Sequence, residues 1–109
     1  MGPFSVCYVG LCQSEREWRS LMKTEKLGPH PFPDHPAHTT YFDVEPPLVI
    51  VSTNIQRMDR HEAIGYCVHE AVHCWQYICE YIKAGRTGRE IEAYSVQWIS
   101  GWLIKELKL

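Results

Sequence analysis

The chain has 109 residues, a net charge of −2 and a sequence pI of about 6.3, so it offers no basic surface for a nucleic-acid backbone. Hydrophobic residues make up 45% and charged residues 22%, the balance of a soluble globular chain, and no apolar run approaches a membrane span. One domain over residues 1–109, with a single core, is what this length allows. The N-terminus lacks the basic-then-apolar pattern of a signal peptide, and Pro3 and Val6 depart from a myristoylation pattern, so a cytoplasmic location is expected. Five cysteines (Cys7, Cys12, Cys67, Cys74 and Cys79) cannot all pair within one chain and contain no CxxC, which reads as free thiols in a reducing compartment.

In chain order, Phe4 to Val9 alternates as a first strand that extends toward Cys12. Ser14 with Glu17 three residues on is a capping-box pattern. The helix it opens should turn Trp18, Leu21 and Met22 to the core and stop by Gly28-Pro29. Gly28 to Pro36 is too rich in proline for a helix or a central strand. With Ala37 and His38 it forms a loop carrying His30, His35 and His38, which reads chiefly as solvated. Thr39–Val44 is a second strand, Glu45-Pro46-Pro47 a link, and Leu48–Thr53 a third strand apolar enough to be buried on both faces. A long helix is expected from an Asp59 cap to about Ala84, ended by Gly85 and Thr87-Gly88, and a last helix from Arg89 to about Lys108. Ile91, Trp98 and Trp102 are its expected core face. The order β-α-β-β-α-α makes a small α+β domain.

The long helix carries His69-Glu70-Ala71-Val72-His73, an HExxH motif. Residues i and i+4 stand one above the other on a helix, so His69 and His73 aim at one point, which suits a zinc ion. Glu70 lies about 100° round from His69, placed to act on water at that point. The expected core stripe is Ile64, Val68, Ala71, Val72, Trp75, Ile78, Cys79 and Ile82, with His69, Glu70 and His73 on the other side beside Tyr66 and Tyr77. Cys67 and Cys74 sit about 160° from His69 and 100° from His73, off the ligand direction. His61-Glu62 is a decoy, because Gly65 stands where a second histidine would be needed.

Downstream, Gly88 to Ser95 reads Gly-Arg-Glu-Ile-Glu-Ala-Tyr-Ser. The two stretches together resemble the gluzincin zinc metallopeptidases, in which HExxH is followed by a helix carrying Glu-x-x-Ala or a close variant. The run from His69 to Gln76 with Glu90 to Gln97 is also similar to small metallopeptidases of phages and prophages. The resemblance covers residues 66–98 and implies a minimal zincin-like fold, with a short sheet packed on the HExxH helix and an edge strand able to hold an extended peptide. It implies Zn2+ held by His69, His73 and a glutamate of the last helix. Glu90 is the preferred third ligand, with Ala93 packing and Tyr94 beside the site. Glu92, with eighteen residues between it and His73, is the alternative. The two point about 200° apart, so one of them serves.

The activity so implied is peptide-bond hydrolysis, with zinc lowering the pKa of water, Glu70 as general base, and Tyr94, Tyr66 or a loop histidine stabilising the oxyanion. The partner is then a peptide or protein substrate, in the cytoplasm of a bacterial host if the chain is phage-encoded. The second reading is a non-catalytic zinc-stabilised binding or assembly module. It is motivated by the aromatic content and by the absence of the lobe that completes the cleft of full-size gluzincins.

Overall fold

A computed structural model describes residues 7–55, 58–82 and 88–109, apart from the side chain of Ile82. The elements are β1 (Tyr8–Cys12), α1 (Glu15–Thr24), β2 (Ala37–Phe42), β3 (Leu48–Thr53), α2 (Arg60–Ile82) and α3 (Arg89–Glu106). The order and the α+β class match the sequence expectation. The chain divides into two compact units, Met1–Gln56 and Arg57–Leu109. Among the described residues no helix is long and apolar enough to cross a membrane.

The first unit is built on β3, the apolar strand. It lies between β1, which runs parallel to it, and β2, which runs antiparallel. Val49, Ile50 and Val51 are fully buried, as a strand apolar on both faces requires. The first strand begins later than alternation suggested, at Tyr8, where its N–H donates to the Pro47 carbonyl; Phe4 to Val6 lie outside the described residues. β2 begins two residues earlier than expected, at Ala37, because Asn54 N–H donates to the Pro36 carbonyl and prolongs the pairing.

Ser14 caps α1, its hydroxyl accepting from Glu17 N–H at 3.1 Å. The reciprocal arm of the box goes one residue further back, from Gln13 N–H to the Glu17 carboxylate at 2.6 Å. The helix stops at Thr24, short of Gly28. Lys26 turns to φ 54°, and the N–H groups of Lys26 and Leu27 donate to the Lys23 and Met22 carbonyls. This is a Schellman closure with lysine in the position glycine usually fills. Lys108, at φ 57°, closes α3 in the same way, which is why that helix ends at Glu106 and not at Lys108.

One side of the sheet is covered by α1. Trp18 and Met22 pack with Cys12, Phe42 and Ile50 in one apolar cluster, and Leu21, Leu27, Phe32 and Leu48 pack against it. Trp18 also donates its indole N–H to the His30 carbonyl at 2.8 Å and meets Phe32 edge-on, which ties the proline-rich loop to the helix.

The second unit is an α2/α3 hairpin. Asp59 caps α2, its carboxylate accepting from His61 N–H at 3.1 Å. The expected end of that helix at Ala84, and the turn at Gly85 and Thr87, lie outside the described residues. Arg60 Nε donates to the Leu109 carbonyl at 2.6 Å, so the start of α2 meets the end of α3.

Two burial assignments differ from expectation. On α2 the buried stripe is Ala63, Cys67, Glu70, Ala71, Cys74, Trp75 and Ile78, while Val68 and Val72 are 43% and 37% exposed. The stripe is rotated by roughly 70° from the one a hydropathy count picks out. Small side chains (Ala63, Cys67, Ala71, Cys74) occupy it, and such a count weights them less than valine. On α3 the buried residues are Ile99, Ser100 and Leu103, whereas Ile91 and Trp98 are 58% and 56% exposed. That helix is apolar on two faces, and periodicity alone could not choose between them.

Replacing Trp18 with Ala should cost about 3–5 kcal/mol of stability through the emptied core. Trp18→Phe should cost less, about 1–3 kcal/mol, part of it from the orphaned His30 carbonyl. Urea unfolding of both variants checks the order, and a Trp18→Phe variant as stable as the parent would show that the hydrogen bond contributes nothing.

Candidate metal centre

α2 positions the histidine pair by its period alone. His69 is exposed and His73 half-buried, and their Nε2 atoms lie 3.1 Å apart, with ring centroids 4.8 Å apart and planes at 76°. Two nitrogen ligands on a tetrahedral zinc, each at 2.0–2.1 Å, stand about 3.3–3.4 Å from one another. The observed separation is within a few tenths of an ångström of that value. Without a metal the same distance suits one proton shared between the two nitrogens.

Gln76, one turn beyond His73, brings its side-chain oxygen to 3.0 Å from His73 Nδ1. An amide oxygen only accepts, so this contact places the proton on Nδ1 and leaves the Nε2 lone pair free to bind a cation. Sequence reasoning gave Gln76 no role. The signal was its i+3 spacing from His73, which puts the two side chains on one face.

Glu70 is 3% exposed and lies within the buried stripe. Its charge is felt at Cys67, whose thiol pKa is raised first by burial and then by the Glu70 carboxylate. Tyr66 and Tyr77 are half-buried.

The expected third ligands do not join the pair. Among the described residues no group of three or more His, Cys, Asp or Glu side chains is placed to hold a metal ion. Hairpin register accounts for this. Positions 60 and 109 meet at one end, and at the other the Glu92 carboxylate is close enough to help raise the Cys79 pKa, after burial. His69 and His73 therefore stand level with about residues 97–101 of α3. The Glu92 charge reaches Cys79, six residues beyond His73 on α2. Glu90 and Glu92 are both exposed. Glu92 is the one turned toward α2. Tyr94 is 66% exposed and lies about 200° round α3 from Glu92.

The loop histidines belong to the first unit. His30 meets Phe42 edge-on at 5.3 Å, and His35 stacks on His38 at 5.2 Å with planes at 20°. Beside them, Arg19, Met22, Lys23, Lys26 and His30 line an open cleft of about 760 Å³.

None of the five cysteines forms a disulfide, in line with the thiol reading, and only Cys79 is not fully buried. Burial, reinforced by Glu17, pushes the Cys12 thiol up to about 11 from its ordinary 9.0. A raised thiol pKa favours the neutral folded state, so this contribution to stability is present below pH 9 and lost as pH rises toward 11. We expect urea midpoints to fall over that interval less steeply in Cys12→Ser than in the parent chain. Parallel curves would mean that Cys12 ionises normally.

No family model, no curated protein and no solved structure matches this chain.

Proposed function

We propose that the chain is a zinc-dependent hydrolase of peptide bonds, a minimal zincin-like α+β protein whose metal sits between His69 and His73. The observation that carries the reading is the 3.1 Å approach of the two Nε2 atoms, with Gln76 on the far nitrogen of His73. A zinc ion held there supplies Lewis acidity toward a carbonyl and toward water.

The remaining work falls to the chain. His69 and His73 hold the ion as neutral imidazoles, and Gln76 fixes the His73 tautomer. Glu70 accepts the proton of the attacking water as the new C–O bond forms. It then delivers that proton to the amine as the C–N bond breaks. A carboxylate of α3 completes the ligand set in this reading. Glu90 is that carboxylate or, as the alternative, Glu92, whose charge is felt at Cys79 of α2.

The burial of Glu70 favours a second reading, a zinc-stabilised binding module in which this carboxylate serves packing. The two readings separate on metal removal. A catalytic site should empty with the fold intact, whereas a metal-held module should unfold.

Native mass spectrometry should find one zinc per chain, absent in His69→Ala. Gln76→Ala should weaken zinc affinity by roughly 10–100-fold while leaving the stoichiometry at saturation unchanged. A folded chain that refuses added zinc would end both readings.

Glu70→Gln should keep its zinc and lose peptide hydrolysis by a factor on the order of 10²–10⁴, measured on a fluorogenic peptide library. Retained turnover in that variant would take the proton-transfer role away from Glu70.

A further inference from the structure

α3 leaves a second apolar face in solvent. Ile91, Tyr94 and Trp98 are 58%, 66% and 56% exposed, and their i, i+3, i+7 spacing sets them on one stripe. Exposed hydrophobic residues are ordinary when scattered, whereas a contiguous apolar row is the kind of surface that docks a partner. The stripe runs on at the same spacing through Gly101 and Lys105, both exposed. A Cβ added at Gly101 would meet nothing within 4 Å. Glycine is a poor helix former. No contact among the described residues requires one at this position, so it leaves an open notch one turn from the Trp98 knob.

We infer that this stripe is the two-fold interface of a homodimer, with α3 packed antiparallel on α3 of a second copy and Trp98 seated over the partner copy's notch at position 101. Self-complementarity selects a second copy over an unrelated partner. Knob and notch lie on the same helix at neighbouring positions, which a two-fold axis between them interchanges. The charges fit the same axis. Within about 70° of the stripe, the ionic groups are Glu90 at its start and Lys105 at its end. The antiparallel arrangement brings the Lys105 ammonium over the partner copy's aromatic ring at position 94 and near its carboxylate at position 90. A parallel arrangement would oppose lysine to lysine and tryptophan to tryptophan. Neither histidine of the pair takes part, so the inference does not rest on zinc.

Sedimentation equilibrium of the full chain, with chelator present, should show a monomer–dimer equilibrium with a dissociation constant in the micromolar range. Trp98→Ala should raise that constant at least tenfold. Gly101→Gln should raise it as much, while the thermal midpoint of the dilute monomer stays level or rises, because a better helix former enters open space. Opposite signs for monomer stability and dimer affinity are the signature of a notch kept for a partner. A chain that stays monomeric to millimolar concentration overturns the inference. So does a dimer indifferent to Gly101→Gln, or open-ended association in place of a closed dimer.

Discussion

The helical period of α2 is the constraint on which the rest depends. At 100° per residue, one helix must carry both a buried stripe, centred near Cys67 and Cys74, and a histidine pair facing well away from it. Glu70 falls between the two, on the edge of the stripe nearer the pair, about 60° from His73 and about 50° from the middle of the stripe. A carboxylate there cannot be wholly solvated or wholly remote from the imidazoles. That is why one side chain is 3% exposed and yet lies on the side of the helix next to the pair.

Much of the fold was legible because its signals are local. Ser14 and Asp59 cap the helices they were expected to cap, and Leu48–Thr53 is the strand its apolar run promised. The helix ends were less legible, since Lys26 and Lys108 do what glycine ordinarily does and carry no compositional mark. The phase of burial on α2 and α3 was legible only in part: Ala71, Trp75 and Ile78 are buried as expected, whereas Val68, Val72, Ile91 and Trp98 are not. It depends on which neighbour covers each face, and two cysteines and two alanines outweigh Val68 and Val72 only once that neighbour is known.

The candidate site divides along the same line. His69 and His73 converge because four residues make about one turn, which any helix guarantees. Gln76 follows from that period too, but an amide belongs to no motif and drew no attention. The third ligand is of another kind. Counting residues from His73 to Glu90 or Glu92 measures distance along the chain, whereas ligation depends on height across the hairpin. That height is set by where the chain turns and by contacts such as Arg60 with Leu109.

Hairpin register also links the two surfaces. The level of His69 and His73 on α2 corresponds to about positions 97–101 of α3, the span that holds Trp98 and the Gly101 notch. Both features thus sit toward the middle of the two helices. A pair of imidazoles must be held still to bind an ion with only nearby help, and a knob must be held still to find its notch. A slide of α3 that brought Glu92 to the histidines would carry the exposed stripe with it. Under the two proposals, metal ligation and dimer geometry would therefore be coupled through one degree of freedom, the axial position of α3 on α2.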